Sequence, residues 1–390
     1  MRLLLITSLI FFVSGVCISQ DEQTKCLVAW KMQDLSYKKM KRKTLVEYEF
    51  RPDAMSINGT MVKPKSLHTR GKTSKRYWRK SYTVSIQDRF PFADTISMKK
   101  FYLLSMSMDK NYVRNRLSFD CLDYLGLFPL WYRYTELKVN DQTEGLYLIV
   151  QRPADFALQE TGSPAILRRQ TTGLIAKEKY AKETLDPYKE ESVDAFKAIS
   201  GLCTQYTGKD LYDALDQKLD LKAYFRWLAF NYMVRNGDYA DEVFYYALPT
   251  ESAIRFGIIP WDFDDILAKG PHEGYSKRDQ ALGDQLIFSS EDKLDRTIAR
   301  DPYLYERYLQ EMIVVCEILT PKVILSITEE IYADLIPYIR DPAIINLSEH
   351  DLAPADDPEE IKRELKNIYG YLRSRRRMMA QLAKTHRKSG

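Results

Sequence analysis

The chain has 390 residues, of which 58 are Lys or Arg and 54 Asp or Glu, leaving a formal charge of only +4. With 45% hydrophobic and 29% charged residues it can build a large core, which excludes a mainly disordered chain, a collagen-like repeat and a disulfide-dense miniprotein. The near-balance of charge also speaks against a protein that coats nucleic acid through a basic surplus.

The first residues read as a targeting segment. Arg2 gives a positive start, Leu3 to Val13 an apolar run, and Cys17 and Ser19 small residues around a cleavage point near Ser19/Gln20. Residues 1–19 are expected to be a signal peptide and 20–390 the mature chain, secreted or periplasmic. Val16, just before Cys17, disfavours a lipoprotein. No later run approaches the roughly 18 apolar residues of a spanning helix, so no stable membrane span is expected. Cys26, Cys121, Cys203 and Cys316 have no CxxC spacing, which excludes a structural zinc site of the usual kind. In an oxidising compartment these four thiols could form two disulfides in any of three connectivities, or stay as small buried groups.

From Cys26 to Ile86 the pattern is strand-like. Asn58-Gly59 between two apolar stretches predicts a hairpin, and Tyr82 to Ile86 alternates with period two. Asn111 to Leu125 reads as a helix ended by Gly126. A second β region runs from Trp131 to Gln151 around a polar turn at 140–145. Residues 171–208 are polar and helix-leaning, and read as a hinge or insertion. Leu221, Tyr224, Phe225, Leu228 and Tyr232 share one face of an amphipathic helix. Strand-like runs follow at Val243–Leu248 and Ile254–Ile259, and from Tyr303 the chain is helical, ending in a basic helix through Arg373, Arg375, Arg376 and Arg377. The expected architecture is α+β in two lobes: a β-rich N-terminal lobe at about 26–160 and a mostly helical C-terminal lobe at about 185–390.

Three stretches could carry chemistry. Lys63 to Lys80 contains Lys63, Lys65, Arg70, Lys72, Lys75, Arg76, Arg79 and Lys80 but no acid, with Gly71 and hydroxyls at its centre. Positive charge and free backbone N–H groups beside a strand suit an anionic group such as phosphate, although such runs are often plain solvated surface. Asn236-Gly237-Asp238-Tyr239-Ala240-Asp241-Glu242 follows the amphipathic helix. Ile259-Pro260-Trp261-Asp262-Phe263-Asp264-Asp265 then ends an apolar strand in three carboxylates. Clustered carboxylates repel unless a cation neutralises them, and hard oxygen donors at a strand end suit Mg²⁺ or Mn²⁺ shared with a phosphate. Together these are the parts of phosphoryl transfer.

The order of segments resembles the CotH kinase family, named for a spore-coat protein. The resemblance rests on Arg70-Gly71-Lys72-Thr73-Ser74, Arg79-Lys80-Ser81-Tyr82, Leu103-Leu104-Ser105 with Asp109 and Arg114-Asn115, Gly145-Leu146-Tyr147-Leu148, Asn236-Gly237-Asp238 and Pro260-Trp261-Asp262-Phe263-Asp264. It implies a divergent, two-lobed protein-kinase-like fold that uses ATP and Mg²⁺ or Mn²⁺ to phosphorylate Ser or Thr of secreted or surface proteins. On that resemblance Lys80 contacts the ATP phosphates with Arg70 in support, and Asp238 is the catalytic aspartate. Asp262 holds metal, with Asp264 and Glu242 as further candidates, and Phe256 stacks on adenine opposite Tyr147. The chain departs from the family at Lys72, where Asn is usual, at Gln151, where Glu is frequent, and at Asp241 and Glu242, where an Asn commonly helps hold metal. The alternative implied by these departures is a catalytically weak surface or matrix binding module. No nucleic-acid signature accompanies the basic stretches.

Overall fold

The Asn58-Gly59 pair turns the chain as its sequence predicts, both residues adopting left-handed backbone (φ 50° and 77°) between two short paired strands. The computed structural model describes residues 25–42, 46–170, 174–248, 253–345 and 358–389. The expected signal peptide lies outside the described residues.

Among the described residues nine strands make the first sheet: β1 (Leu27–Lys31), β2 (Glu49–Phe50), β3 (Ala54–Ile57), β4 (Thr60–Val62), β5 (Pro64–Arg70), β6 (Ser81–Ala93), β7 (Ile96–Leu104), β8 (Tyr132–Val139) and β9 (Gln142–Gln151). Their order is β2-β5-β6-β7-β9-β8-β1-β3-β4, antiparallel except where β1 runs parallel to β8. The sheet buries both faces. On one, Trp30, Tyr82, Val84, Phe101, Leu103, Tyr147 and Ile149 form a small core with Met40 of helix α1 (Asp34–Arg42). On the other, Tyr134, Leu146, Leu148 and Val150 join a much larger core shared with the helical lobe. Alternation along β9 therefore sends Tyr147 one way and Leu146 and Leu148 the other.

Helix α2 (Arg114–Tyr124) follows β7 and begins three residues later than the sequence suggests, because Asn111 and Tyr112 take positive φ. Asp109 explains the start: its carboxylate accepts from the N–H groups of Arg114 and Asn115 at 2.7 and 2.8 Å. Gly126 ends the helix at φ 69°, as expected.

A second sheet lies within the C-terminal lobe, in the order β11-β10-β12-β13, from β10 (Ala165–Gln170), β11 (Leu174–Tyr180), β12 (Val243–Leu248) and β13 (Arg255–Pro260). Here the structure corrects the hinge expected at 171–208. Residues 174–180 pair with β10 as a hairpin, and helix α3 (Asp186–Gln205) follows. Exposed Lys and Glu alternate along β11, and that polarity conceals an edge strand. Helices α4 (Gly208–Asp216) and α5 (Leu221–Val234) come next, the latter the anticipated amphipathic helix. It is capped by Asp220, whose carboxylate accepts from Ala223 N. The rest is helical: α6 (Tyr275–Leu282), α7 (Lys293–Arg300), α8 (Pro302–Ile318), α9 (Pro321–Ile339) and α10 (Pro358–Ser389).

The terminal arginines close two helix ends. Arg375 donates to Tyr232 O near the end of α5 at 2.6 Å, and Arg376 to Cys316 O in the last turn of α8 at 2.6 Å. Both satisfy carbonyls that a helix leaves without intrahelical partners. Cys26, Cys121, Cys203 and Cys316 are all free thiols.

Candidate functional site

The acidic residues converge because three chain reversals meet. Helix α5 stops at Arg235, whose left-handed backbone (φ 51°) lets its N–H bond back to Asn231 O. The Asn236-Gly237-Asp238 turn that follows is pinned from both sides. Asn236 is buried and donates to Asn231 Oδ1 at 3.1 Å, while Gly237 N donates to Asp265 O at 3.0 Å. A Cβ on Gly237 would come within 2.0 Å of Asp265 Oδ2, so only glycine fits without displacing the acidic loop.

Asp238, Asp241 and Glu242 bring carboxylate oxygens within 4.8 Å of one another. Asp262 arrives from the end of β13 in left-handed conformation (φ 55°), which turns the chain sharply out of the strand. Its loop is moored to α2: Phe263 N donates to Asn115 Oδ1 at 3.0 Å, and Arg114 donates to Asp264 O at 3.0 Å. Thus Asp109, Arg114 and Asn115, which entered the sequence reading only as family-like residues, form the bracket that holds the Asp262–Asp264 loop.

Electrostatics follow from this crowding. Burial, then the charges of Asp241 and Asp262, push Asp238 up to about 6, though its side chain remains open to solvent. Burial and Asp262 likewise hold Glu242 well above its ordinary range, with Arg168 opposing. Asp264 is raised by burial and by Asp262 and Asp109. At Asp262 burial outweighs the lowering influence of Arg70 and Arg168, so its carboxyl is also raised. An anionic cluster of this kind wants cations, and hard carboxylate oxygens suit a divalent one of the Mg²⁺ class.

Two arginines face the cluster. Arg70, at the end of β5, stacks its guanidinium 3.8 Å from the Tyr102 ring centre and 5.8 Å from that of Trp261. Arg168, on β10, donates to Glu242 and, at 3.3 Å, to Asp241 O. The neighbouring Arg169 points to the opposite face of the strand. There it is buried against Asp292 and Asp295 and donates to Ala240 O at 2.7 Å, fixing the 238–242 turn from behind.

The sequence expectations distribute unevenly over this geometry. Asp238 and Glu242 come together, and Asp262, Asp264 and Arg70 lie near enough to act on that cluster or on one another electrostatically. Lys80 is buried just before β6, where its Nζ donates to Lys75 O at 2.5 Å. Burial, with Lys41 as the neighbouring charge, lowers it to about 8. Tyr147 lies in the small core on the far face of the first sheet, stacked on Tyr82 at 6.3 Å. Phe256 points into the helical lobe between Phe196 and Tyr245, at 6.1 and 6.2 Å. Neither ring faces the acids. Replacing Phe256 with Leu is expected to lower stability by about 1–2 kcal/mol through a core cavity, and to leave nucleotide affinity unchanged. Denaturant melts and a nucleotide titration of the same variant check both halves. The departures also acquire contexts. Lys72 is exposed, and Gln151 accepts from Trp131 N at 3.0 Å and donates to Glu160 at 2.6 Å.

Sequence reasoning missed Arg168 and Arg169. Their signal was present: two adjacent arginines inside the apolar strand Ala165-Ile166-Leu167-Arg168-Arg169 must point to opposite faces, each needing a buried partner.

A profile of the family described as CotH kinase protein matches residues 67–379. The inner spore coat protein H of Bacillus subtilis strain 168 is 24% identical, over 78% of this chain and 85% of its own. Among solved structures, a chain of the Shewanella oneidensis MR-1 toxin–antitoxin complex of HipA, HipB and operator DNA is similar at 13% identity and a TM-score of 0.33. The alignment covers 79% of this chain and 66% of that one, just under two thirds.

Proposed function

Because the chain belongs to the CotH kinase protein family, we propose that it transfers the γ-phosphoryl group of ATP to Ser or Thr hydroxyls of secreted or surface proteins. The observation that carries this reading is the acidic cluster of Asp238, Asp241 and Glu242, tied to the Asp262 loop through Trp261 N on Glu242 O and Gly237 N on Asp265 O and faced by Arg70 and Arg168. Phosphoryl transfer is mostly positioning and charge neutralisation, and these are the groups it requires.

In this reading Asp238 takes the proton of the attacking hydroxyl. The hydroxyl oxygen bonds to the γ-phosphorus, the bond from that phosphorus to the β–γ bridging oxygen breaks, and ADP leaves. A raised carboxyl near 6 suits a base working at neutral pH. Asp262 would hold Mg²⁺ or Mn²⁺, with Asp264 and Asp241 as the other donors at hand. Such an ion, when bound, neutralises charge on the triphosphate. Arg70, stacked and preorganised on Tyr102, is proposed to take the phosphate role that the resemblance gives to Lys80. Export rests on the leader-like residues 1–19 and belongs to the same proposal.

A second reading, a catalytically weak binding module, is favoured by one observation: Lys80 is turned toward Lys75 O and Lys41, away from the acids. Thermal melting separates the two. ATP with Mg²⁺ or Mn²⁺ is expected to raise the midpoint by about 2–4 °C at saturating concentration. No shift with either ion would sink the kinase reading and leave the binding module.

A further inference from the structure

Arg168 reaches the acidic cluster from the second sheet, and three contacts fix it there. Its register opposite Phe244 puts both side chains on the face of β10 and β12 that meets the acids, with the guanidinium 5.7 Å from the Phe244 ring centre. One nitrogen donates to Glu242 Oε2 and another to Asp241 O at 3.3 Å. Glu242 is in turn tied to the strand end that carries Asp262, because Trp261 N donates to Glu242 O at 2.9 Å. Both side chains of the pair are largely shielded, at 21% and 10% exposure.

Glu242 is the carboxylate that would serve a second divalent ion, since its oxygens lie within 4.8 Å of those of Asp238 and Asp241. Yet its charge is already met by a guanidinium, and a guanidinium sharing a carboxylate with a dication repels it strongly at such range. A guanidinium also presents five N–H groups in a fixed fork. The contacts to Glu242 and Asp241 use two of them, and the remainder suit phosphate oxygens.

Resting on the kinase reading above, we propose that Arg168 is a built-in cation standing in the place of a second divalent ion. Glu242 is its counter-charge rather than a metal ligand, and the site takes one divalent ion with the nucleotide. The charge that a second metal would lend to the phosphates is then supplied covalently and does not depend on metal concentration.

The test counts ions rather than turnover. Mn²⁺ bound to the full chain, with saturating imido-bridged ATP analogue, is measured by electron paramagnetic resonance. One Mn²⁺ per chain is expected for the wild type and for Arg168→Lys, and two for Arg168→Met. Glu242→Gln should keep one Mn²⁺ with its affinity within about threefold of wild type. Two ions in the wild type, one in Arg168→Met, or a loss of about tenfold or more in Glu242→Gln would each overturn the proposal. Should Arg168→Met fail to fold, the wild type and Glu242→Gln decide alone. If no protein of the set binds nucleotide-linked Mn²⁺, the kinase reading itself falls and the proposal with it, a result distinct from any miscount.

Discussion

Replacing Asp262 with Ala or Asn is expected to abolish metal-dependent nucleotide binding together with transfer, whereas the fold survives. Asp262 acts electrostatically on Asp238, Glu242 and Asp264, and itself feels Arg70 and Arg168. On the kinase reading, removing it takes away a hard oxygen donor and the proposed anchor for a phosphate-bound cation, so transfer should drop by about 10³-fold or more. Stability should respond differently in the two variants. Both relieve repulsion among crowded carboxylates, but Ala at φ 55° adds left-handed strain of about 1–2 kcal/mol that Asn largely avoids. Equal loss of binding in the two, with Ala the less stable, would show that charge rather than backbone shape is what the nucleotide needs. Nucleotide affinity preserved in Asp262→Asn would refute the role.

Asp238→Asn is expected to separate binding from chemistry. The nucleotide-dependent thermal shift should persist, because the amide keeps the shape of the turn and can still accept a hydrogen bond. Transfer should fall by about 10²-fold or more if Asp238 receives the hydroxyl proton. The pH dependence sharpens this. A base with its proton affinity near 6 is lost as pH drops, so the wild-type rate should decline below about pH 6. Bound metal beside Asp262 would offset the like charge and move that limb lower. A residual rate in Asp238→Asn that no longer bends near pH 6 would be the accompanying signature. The stability linkage has the opposite sense. With the folded value above the ordinary 3.8, Asp238 favours folding while protonated, and that contribution fades as pH rises through about 6. An Asp238→Asn variant with wild-type transfer would remove Asp238 from the mechanism.

What could be read from the sequence depended on the range of the forces involved. The Asn58-Gly59 turn, helix α5 and the acidic end of β13 were legible because each is decided by neighbours a few residues apart. So was the gathering of Asp238 with Asp262, through the order of motifs. Facing was harder. Lys80, Tyr147 and Phe256 sit next to strand residues whose alternation is plain, yet alternation does not say which face meets the acids. That is fixed by pairings such as β7 with β9 and β10 with β12, made between distant segments. Arg168 was hidden for the same reason: its partner Glu242 lies 74 residues on. The edge strand β11 was missed because its exposed charged residues conceal the β pattern.

The mooring of the Asp262–Asp264 loop to Asn115 and Arg114 bears on motion. A segment that belongs by sequence to the helical lobe is held by a helix inserted between two strands of the other lobe. The large core also runs through both lobes without interruption, from Leu148 and Val150 to Phe230 and Phe263. Opening about the β9 exit at Gln151 would break these contacts and expose that core, so wide hinge swings are costly. On the kinase reading, nucleotide exchange would then be governed by rearrangement of short loops at the rim. Asp262 is moored to α2, and the bond from Gly237 N to Asp265 O ties the Asp238 turn to the same loop, so the two carboxylates are held as one unit.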